Sequence, residues 1–464
     1  MTDLTHIPET YKMPETLSGE VKALLVLGIP MALAQLIQFS IYTVDTIMLG
    51  RVGPEVLAAA ALGSVVYFFL WMVGAGPVMA VSPLVSQALG ADQADRRDAR
   101  MSVRMALWVI AFMFPFLLIL VVFVERILLA AGQDPELSHA AAQYMMALAP
   151  GWPFAVGIWA LRNFLAAIEK TRVPLYLITL TVLINTGLNA LLIFGYWGFP
   201  RLELIGAGIA SSISYFLCFV MFAIYIQWDK DAREFDLFKN FFRIHWDRLR
   251  EVVQLGIPIS VTTVFEGMLF NACVLLMGLI GKMELAAYQI ALNVAALAFM
   301  LPFGMSMAGA VRVGLAAGAN NAAAIRRAGI ATIVVCIALI MLFAIPIALF
   351  PSGIAGIYLN VTEAENGEVL ALVAAFLPIA AAFMFFDATQ VAANQLLRGL
   401  KDVTVPMWLT GISYWVIGFP LAWYLGLHTD IGAVGVWIGL LAGLVVASIL
   451  LGSRFYWMGW RRHR

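Results

Sequence analysis

Twelve stretches of apolar residues, each about 20 or more long, run through this chain, and no other feature restricts its fold as strongly. About 20 apolar residues span a bilayer as an α-helix. The stretches fall at roughly 22–50, 55–89, 102–124, 138–161, 174–199 and 204–228, then at 252–280, 285–317, 328–350, 367–396, 404–427 and 431–457. Several exceed 25 residues, so those helices must tilt, kink or protrude. In lipid each backbone polar group needs an internal partner, which makes helices the economical reading. Composition agrees: 62% of the 464 residues are hydrophobic and only 12% charged, where a soluble domain carries about 25% charged residues.

Basic residues test the count, because Lys and Arg concentrate in alternate loops on the cytoplasmic side. One side receives Lys12 and Lys22, the Arg96–Arg104 group, and Arg162, Lys170 and Arg172. It also receives six basic residues between Lys230 and Arg250, then Arg312, Arg326, Arg327, Arg398 and Lys401, and a C-terminal group from Arg454 to Arg464. The other side keeps Arg51, Arg126, Arg201 and Lys282. A miscounted helix would scramble this division, so twelve spans with both termini cytoplasmic are expected. The polar start, MTDLTHIPETYKMPETLSGE, lacks the apolar core of a signal peptide and reads as a short tail.

The chain also repeats itself. Residues 27–91 align with 255–319 at a fixed offset of 228, without a gap. LGIP at Leu27–Pro30 recurs at Leu255–Pro258, Gly50 and Gly53 match Gly278 and Gly281, and Gly90-Ala91 matches Gly318-Ala319. Later, Val173-Pro174 corresponds to Val405-Pro406 and Gly206-Ala207 to Gly432-Ala433. The expected fold is an all-α membrane protein, with twelve transmembrane helices in two six-helix lobes related by an internal repeat. The expected domains are a tail at 1–21, an N-lobe at 22–228, a charged linker at 229–250, a C-lobe at 251–457 and a basic tail at 458–464. An even number of spans separates the halves, so the repeat keeps its orientation, as in transporters built from parallel repeats. Duplication that serves folding alone gives the same pattern.

Within the apolar stretches the acids to explain are Asp45, Glu266 and Asp387. Carboxylates there are expensive, and they usually mark an ion or substrate pathway. The repeat does not relate them: Asp45 aligns with Cys273, Glu266 with Gln38 and Asp387 with Ala155. Glu266 and Asp387 lie near the middle of spans seven and ten. Desolvation favours the neutral form of such a group, so each can hold a proton or be neutralised by Na⁺, a hard cation that prefers oxygen ligands. No Lys or Arg deep in the membrane is expected to compete for them. Asp45 lies five residues from the end of span one, so the alternative of a solvated interfacial acid weighs more for it than for the other two. Amides recur one helical turn apart: Asn185 with Asn189, Gln289 with Asn293, and Gln390 with Asn394. Alone, such pairs serve as interhelical glue; beside an acid they can orient it. Ser211, Ser212 and Ser214 share span six. Cys218, Cys273 and Cys336 show neither metal-ligand spacing nor a disulfide mate. Abundant Phe and Met around the C-lobe acids suit adaptable ligand contacts.

Three segments, VDTIMLGRVG at 44–53, AAYQIALN at 286–293 and DATQVAANQLLRGLKDVTVP at 387–406, resemble the multidrug and toxic compound extrusion (MATE) family, in its bacterial NorM branch. The resemblance covers nearly the whole chain. It implies a drug/cation antiporter of the bacterial inner membrane, exporting small-molecule drugs and dyes as Na⁺ or H⁺ enters. It implies a C-lobe cation site at Glu266 and Asp387, where Na⁺ can bind, and an N-lobe site at Asp45, Asn185 and Asn189. Ser211 stands where a Thr is usual. Two departures bear on the ion. Phe383 occupies a position where some relatives have Tyr, which removes an oxygen, and Tyr288 stands where relatives often have His.

The expected function is therefore cation-coupled efflux of amphipathic, often cationic compounds by alternating access, with Gln289 and Asn293 as further candidate ligands. The coupling ion stays open between Na⁺ and H⁺, and no other cofactor is expected. The chain is expected to act as a monomer in membrane lipid. Zero net charge gives no reason to expect a nucleic-acid partner, and the absence of a nucleophile–base pair or metal motif excludes the usual signs of an enzyme. Two alternatives remain at this stage: a lipid-precursor flippase of the same superfamily, which needs intramembrane cations for a phosphate headgroup, and a membrane scaffold or receptor that transports nothing.

Overall fold

The computed structural model of the chain describes residues 13–91, 96–358 and 367–461. The tail residues up to Lys12, and Arg462 to Arg464, lie outside the described residues. Among the described residues, twelve helices are long and apolar enough to cross a membrane. Spans one to six are Leu17–Gly50, Pro54–Ala91, Arg97–Val122, Pro135–Ala167, Arg172–Phe194 and Glu203–Trp228. Spans seven to twelve are Trp246–Ile280, Lys282–Gly318, Ala322–Leu349, Gly367–Gly399, Thr404–Leu427 and Ala433–Gly459. Each apolar stretch of the sequence falls on one of them, and no strand occurs among the described residues.

Three spans are interrupted. Span two breaks at Ala80, between the helices Pro54–Met79 and Val81–Ala91; Pro77 and Pro83 flank the break and each removes a backbone donor. Span four passes through a 3₁₀ turn at Ala149–Gly151, which contains Pro150. Its start is capped by Asp134, whose carboxylate accepts from the backbone N–H of Glu136 at 2.9 Å and of Leu137 at 3.1 Å. Span eleven carries a π-helical turn at Ile412–Gly418, the kind of irregularity often found at functional sites.

The repeat is visible in the backbone. A short helix, Val124–Ala130, follows span three, and its counterpart Pro351–Tyr358 follows span nine. Spans four and ten end on the same cap. Glu169 (φ 61°) and Lys401 (φ 58°) take left-handed backbone, and the next N–H reaches back to Leu165 O at 2.8 Å and to Leu397 O at 3.0 Å. These positions are 232 apart, the same offset that relates Val173-Pro174 to Val405-Pro406.

The chain divides into two compact units, with the divisions inside helices and not in the charged linker. One unit is Leu33–Ser260. The other combines the chain up to Ala32 with Val261 onward. Spans one and seven therefore each contribute their first part to one unit and the remainder to the other. Lipid tails are as apolar as leucine, so helices in a bilayer associate through close packing of small residues. In the Leu33–Ser260 unit, Gly76 of span two lies against Gly256 of span seven, with its N–H on Ser260 Oγ at 3.1 Å. In the other unit Gly304 of span eight lies against Ala32 of span one. A Cβ at Gly76 or Gly304 would collide with backbone. The two glycines are repeat equivalents, as are Ser260 and Ala32.

The linker is held down. Arg104 Nε donates to Leu237 O at 2.6 Å and Trp108 Nε1 to Phe241 O at 2.9 Å. Lys170 Nζ lies 2.6 Å from both Asp229 oxygens, and Tyr225 donates to Asp229 at 2.9 Å. Burial disfavours the Asp229 carboxylate, but the hydrogen bonds from Lys170, the Ala232 N–H and Tyr225 outweigh it and hold its pKa below the usual range.

Candidate ion and substrate sites

Each unit contains its own acid centre. In the Leu33–Ser260 unit, Asp45, Asn185, Asn189 and Ser211 form a closed ring of hydrogen bonds. Asn189 Nδ2 donates to Asp45 Oδ1 at 2.5 Å and to Asn185 Oδ1 at 3.2 Å. Asn185 Nδ2 donates to Ser211 Oγ at 3.3 Å, and that hydroxyl donates to Asp45 Oδ2 at 3.3 Å. Helical spacing explains how: Asn185 and Asn189 are one turn apart on span five and present their amides on one face. Both amides and Ser211 are buried, while Asp45 is partly exposed. Asn189 Oδ1 is buried without a partner among the described residues. The ring is rich in oxygen: two from Asp45, the two amide carbonyls and the Ser211 hydroxyl. That donor set suits a hard monovalent cation or a proton on Asp45.

Three tyrosines that no spacing singled out, Tyr67, Tyr144 and Tyr215, belong to the same cluster, which also contains Leu49, Ile193 and Leu204. Tyr144 and Tyr215 lie within electrostatic range of Asp45, and the Tyr67 hydroxyl is buried without a partner among the described residues. The neighbouring serines have structural roles. Ser212 donates to Ala147 O at 2.7 Å and Ser214 to Ala210 O in its own helix at 2.7 Å.

In the other unit, Glu266 and Asp387 lie within electrostatic range of each other. Asp387 is 7% exposed, and its Oδ1 is buried without a partner among the described residues. The residue before each acid has its carbonyl engaged by a side chain: Trp415 Nε1 donates to Phe265 O at 3.3 Å and Ser448 to Phe386 O at 2.7 Å. Tyr414, carried by the π-turn of span eleven, is buried within electrostatic range of both acids. Among the described residues, buried Gln390 has neither amide atom bonded, and the Tyr288 and Thr410 hydroxyls and Trp437 Nε1 also lack partners. Buried polar atoms are nearly always paired, so this interior is suited to water or an ion. Phe383 is buried against Trp437, with ring centroids 5.7 Å apart, and against Phe270 at 6.0 Å.

Two expectations need correction. The C-lobe acids do have a buried basic neighbour, because Arg398 is 7% exposed and lies within electrostatic range of Glu266. It sits at the very end of span ten, and the packed helices, not the sequence, bring it to Glu266. Glu20, which read as part of a polar tail, is a further buried carboxylate: it holds Arg312 of span eight in a two-pronged pair at 2.8 and 2.9 Å. Gln289 and Asn293 of span eight are exposed, and the structure shows no bond from them to either acid; Asn293 accepts from Tyr358 at 3.1 Å. The three cysteines are buried and free, and no cluster of three metal-ligating His, Cys, Asp or Glu occurs among the described residues.

Twelve spans, two repeat-related units and an acid centre inside each define a multi-pass membrane transporter, not an enzyme. The chain belongs to the MatE family, whose profile matches residues 30–191 and 258–424, once in each half. It is 41% identical over 439 residues to a Rhizobium meliloti protein named "Probable multidrug resistance protein NorM", covering 94% of this chain and 93% of that protein. A protein of the same name from Rhodopseudomonas palustris is 40% identical over 436 residues, covering 93% and 90%. Among solved structures, the eukaryotic MATE transporter AtDTX14 superposes with a TM-score of 0.83 at 21% identity, over 96% of this chain and 98% of that one; that likeness concerns the fold.

Proposed function

We propose that the chain is a multidrug efflux antiporter of the bacterial inner membrane, with both termini cytoplasmic, which works by alternating access. It expels amphipathic, often cationic drugs and dyes in exchange for Na⁺ or H⁺. The observation that carries this reading is the acid pair of half-buried Glu266 and buried Asp387, set among polar atoms that have no partner among the described residues, in a chain whose relatives are named for multidrug resistance. A deprotonated pair attracts a cationic, apolar-bodied compound out of the inner leaflet. Neutralisation by Na⁺ or H⁺ removes that attraction and releases the compound outside. One negative charge therefore serves both ligands, and competition for it couples the two fluxes. Arg398 beside Glu266 limits the net charge of the pair and leaves Asp387 as the acid freer to exchange partners. The ring around Asp45 serves as a second cation site. The protein acts as a monomer in lipid.

The test is ethidium efflux from proteoliposomes under imposed gradients, comparing wild type with Asp387→Asn and Glu266→Gln. Flux driven by Na⁺ with protons clamped assigns Na⁺; flux driven only by a pH gradient assigns H⁺. Both variants are expected to fall to the background of empty vesicles while remaining folded. Full activity in both would overturn the reading, and no flux in wild type under either gradient would favour a flippase or a scaffold.

A further inference from the structure

Arginines gather where the linker meets the start of span three. Arg97, Arg100, Arg104 and Arg243 all lie within electrostatic range of His245, whose N–H reaches Met105 Sδ at 3.3 Å. Arg97 and Arg243 are exposed, Arg100 is half-buried and Arg104 is 4% exposed. Three acids of this region already have partners. Glu234 is paired with Arg96, and Asp98 lies 2.7 Å from Arg248. Asp236 is 3.9 Å from Arg100 and is shared with Lys239 at 3.3 Å. Arg100 Nε is buried without a partner among the described residues. Arg97 and Arg100 also occupy the first turn of a helix whose start has no side-chain cap. The macrodipole is positive at that end, so cations there are unfavourable. The cluster has room for an anion.

Along span three the chemistry then changes in a fixed order. Arg100, Arg104, Trp108, Phe112 and Phe116 stand four residues apart and form one ridge of the helix. Trp108 is half-buried, Phe112 is 42% exposed and Phe116 is 71% exposed, so the ridge rises to the surface of the span as it leaves the arginines. The exposed surface of an apolar span faces acyl chains. The Trp108 ring centroid lies 5.5 Å from that of Phe112 and 6.2 Å from that of Phe242 in the linker. Phe242 is 84% exposed. Arginines at one end, a tryptophan at the interface and apolar rings beyond it repeat the order of a phospholipid: phosphate, ester, acyl chain. A free phosphate would use only the first part.

We propose that the start of span three and the linker bind one anionic phospholipid, with its phosphate on Arg97, Arg100 and Arg243 and an acyl chain along Phe242 and the ridge from Trp108 to Phe116. The lipid supplies negative charge to the cluster and fastens the linker to span three. In the orientation proposed above, it belongs to the cytoplasmic leaflet. The site goes beyond the efflux reading and does not rest on it, because it requires a bilayer and not a transported compound.

The test is native mass spectrometry of the detergent-purified full-length protein, titrated with dioleoyl phosphatidylglycerol and, separately, with dioleoyl phosphatidylcholine. The acyl chains are identical, so the ratio of affinities reads the headgroup. The first phosphatidylglycerol is expected to bind at least about tenfold tighter than phosphatidylcholine. Arg97→Gln with Arg243→Gln removes two exposed charges and leaves the core untouched. It is expected to weaken phosphatidylglycerol about 25-fold, from about fivefold for each basic residue near a lipid surface. Lys230→Gln with Arg250→Gln removes the same charge from exposed positions outside the cluster and is expected to leave the affinity unchanged. Equal affinity for the two lipids, or an equal loss in the two double variants, would overturn the proposal. Displacement of phosphatidylglycerol by inorganic phosphate would also overturn it and assign a free-anion site. Ethidium efflux tests the other reading separately: its absence with phosphatidylglycerol binding intact would sink efflux and leave the lipid site standing.

Discussion

At the scale of single residues, what could be read in advance depended on whether the partners lie on one helix. Asn185 and Asn189 declare a shared face by spacing alone, and the resemblance supplied Asp45 and Ser211; the structure joins all four in one ring. Glu20 gave no such sign. It sits in a stretch that reads as a tail, and its partner is 292 residues away, so only the fold brings Arg312 to it. The pair is almost fully buried, with side chains 4% and 3% exposed. Two buried charges cost much desolvation and repay it only together. Glu20→Gln leaves the Arg312 guanidinium without its anion and is expected to destabilise the protein by about 3–5 kcal/mol. Combining Glu20→Leu with Arg312→Met removes both charges and should recover most of that loss. Thermal melting of the detergent-purified variants checks this: a silent Glu20→Gln, or a double variant less stable than Glu20→Gln, contradicts it.

At the scale of elements, apolar length placed all twelve spans to within a few residues at most ends, and prolines marked two of the three interruptions. The π-turn of span eleven had no such marker. Its sequence, ISYWVIG, contains no proline, and the turn is held from outside: Trp415 bonds to the Phe265 carbonyl, and Gly411 packs under the Phe265 ring. Close approaches between spans were also hidden, because a glycine in an apolar run does not say what it faces. Gly76 and Gly452 both lie within spans, yet only Gly76 is pressed against another helix's backbone. Backbone cannot yield as a flexible side chain can. Gly76→Ala is therefore expected to cost more than the roughly 1–3 kcal/mol typical of overpacking and to lower the yield of folded protein sharply. Among the described residues, no atom outside Gly452's own helix backbone lies within 4 Å of the place a Cβ would take. Gly452 should accept Ala at no cost or with a gain of up to about 1 kcal/mol from helix propensity. Comparing the two by size-exclusion profile and melting temperature separates local propensity from interhelical contact; equal behaviour would mean that the Gly76 approach does not matter.

At the scale of the whole molecule, the repeat showed that the chain is doubled but not how the copies share their first helices. Hydropathy reports where a chain leaves the bilayer, so a sequence places lobe limits in loops, at 22–228 and 251–457. Packing instead assigns the start of span one, up to Ala32, to the unit beginning at Val261, and the start of span seven, up to Ser260, to the unit beginning at Leu33. The contacts at stake are those of Gly76 with Gly256 and of Gly304 with Ala32, which join residues from opposite halves of the sequence inside a single unit. Neither half, cut at the linker, then contains a complete unit. Residues 1–242 lack Trp246–Ser260 and would leave the Gly76 face of span two open; residues 243–464 lack span one and would leave Gly304 and Arg312 uncovered. Phe242 and Arg243 are both exposed, so a break between them disturbs little beyond the hydrogen bond from the Arg243 N–H to Asn240 O. Expressed singly, each fragment is expected to be degraded or aggregated. Expressed together, the two should copurify and restore ethidium efflux, because every contact inside each unit can form again without the covalent link. A monodisperse, thermally stable 243–464 fragment on its own would show that the shared helices contribute little, and that each half folds by its own contacts.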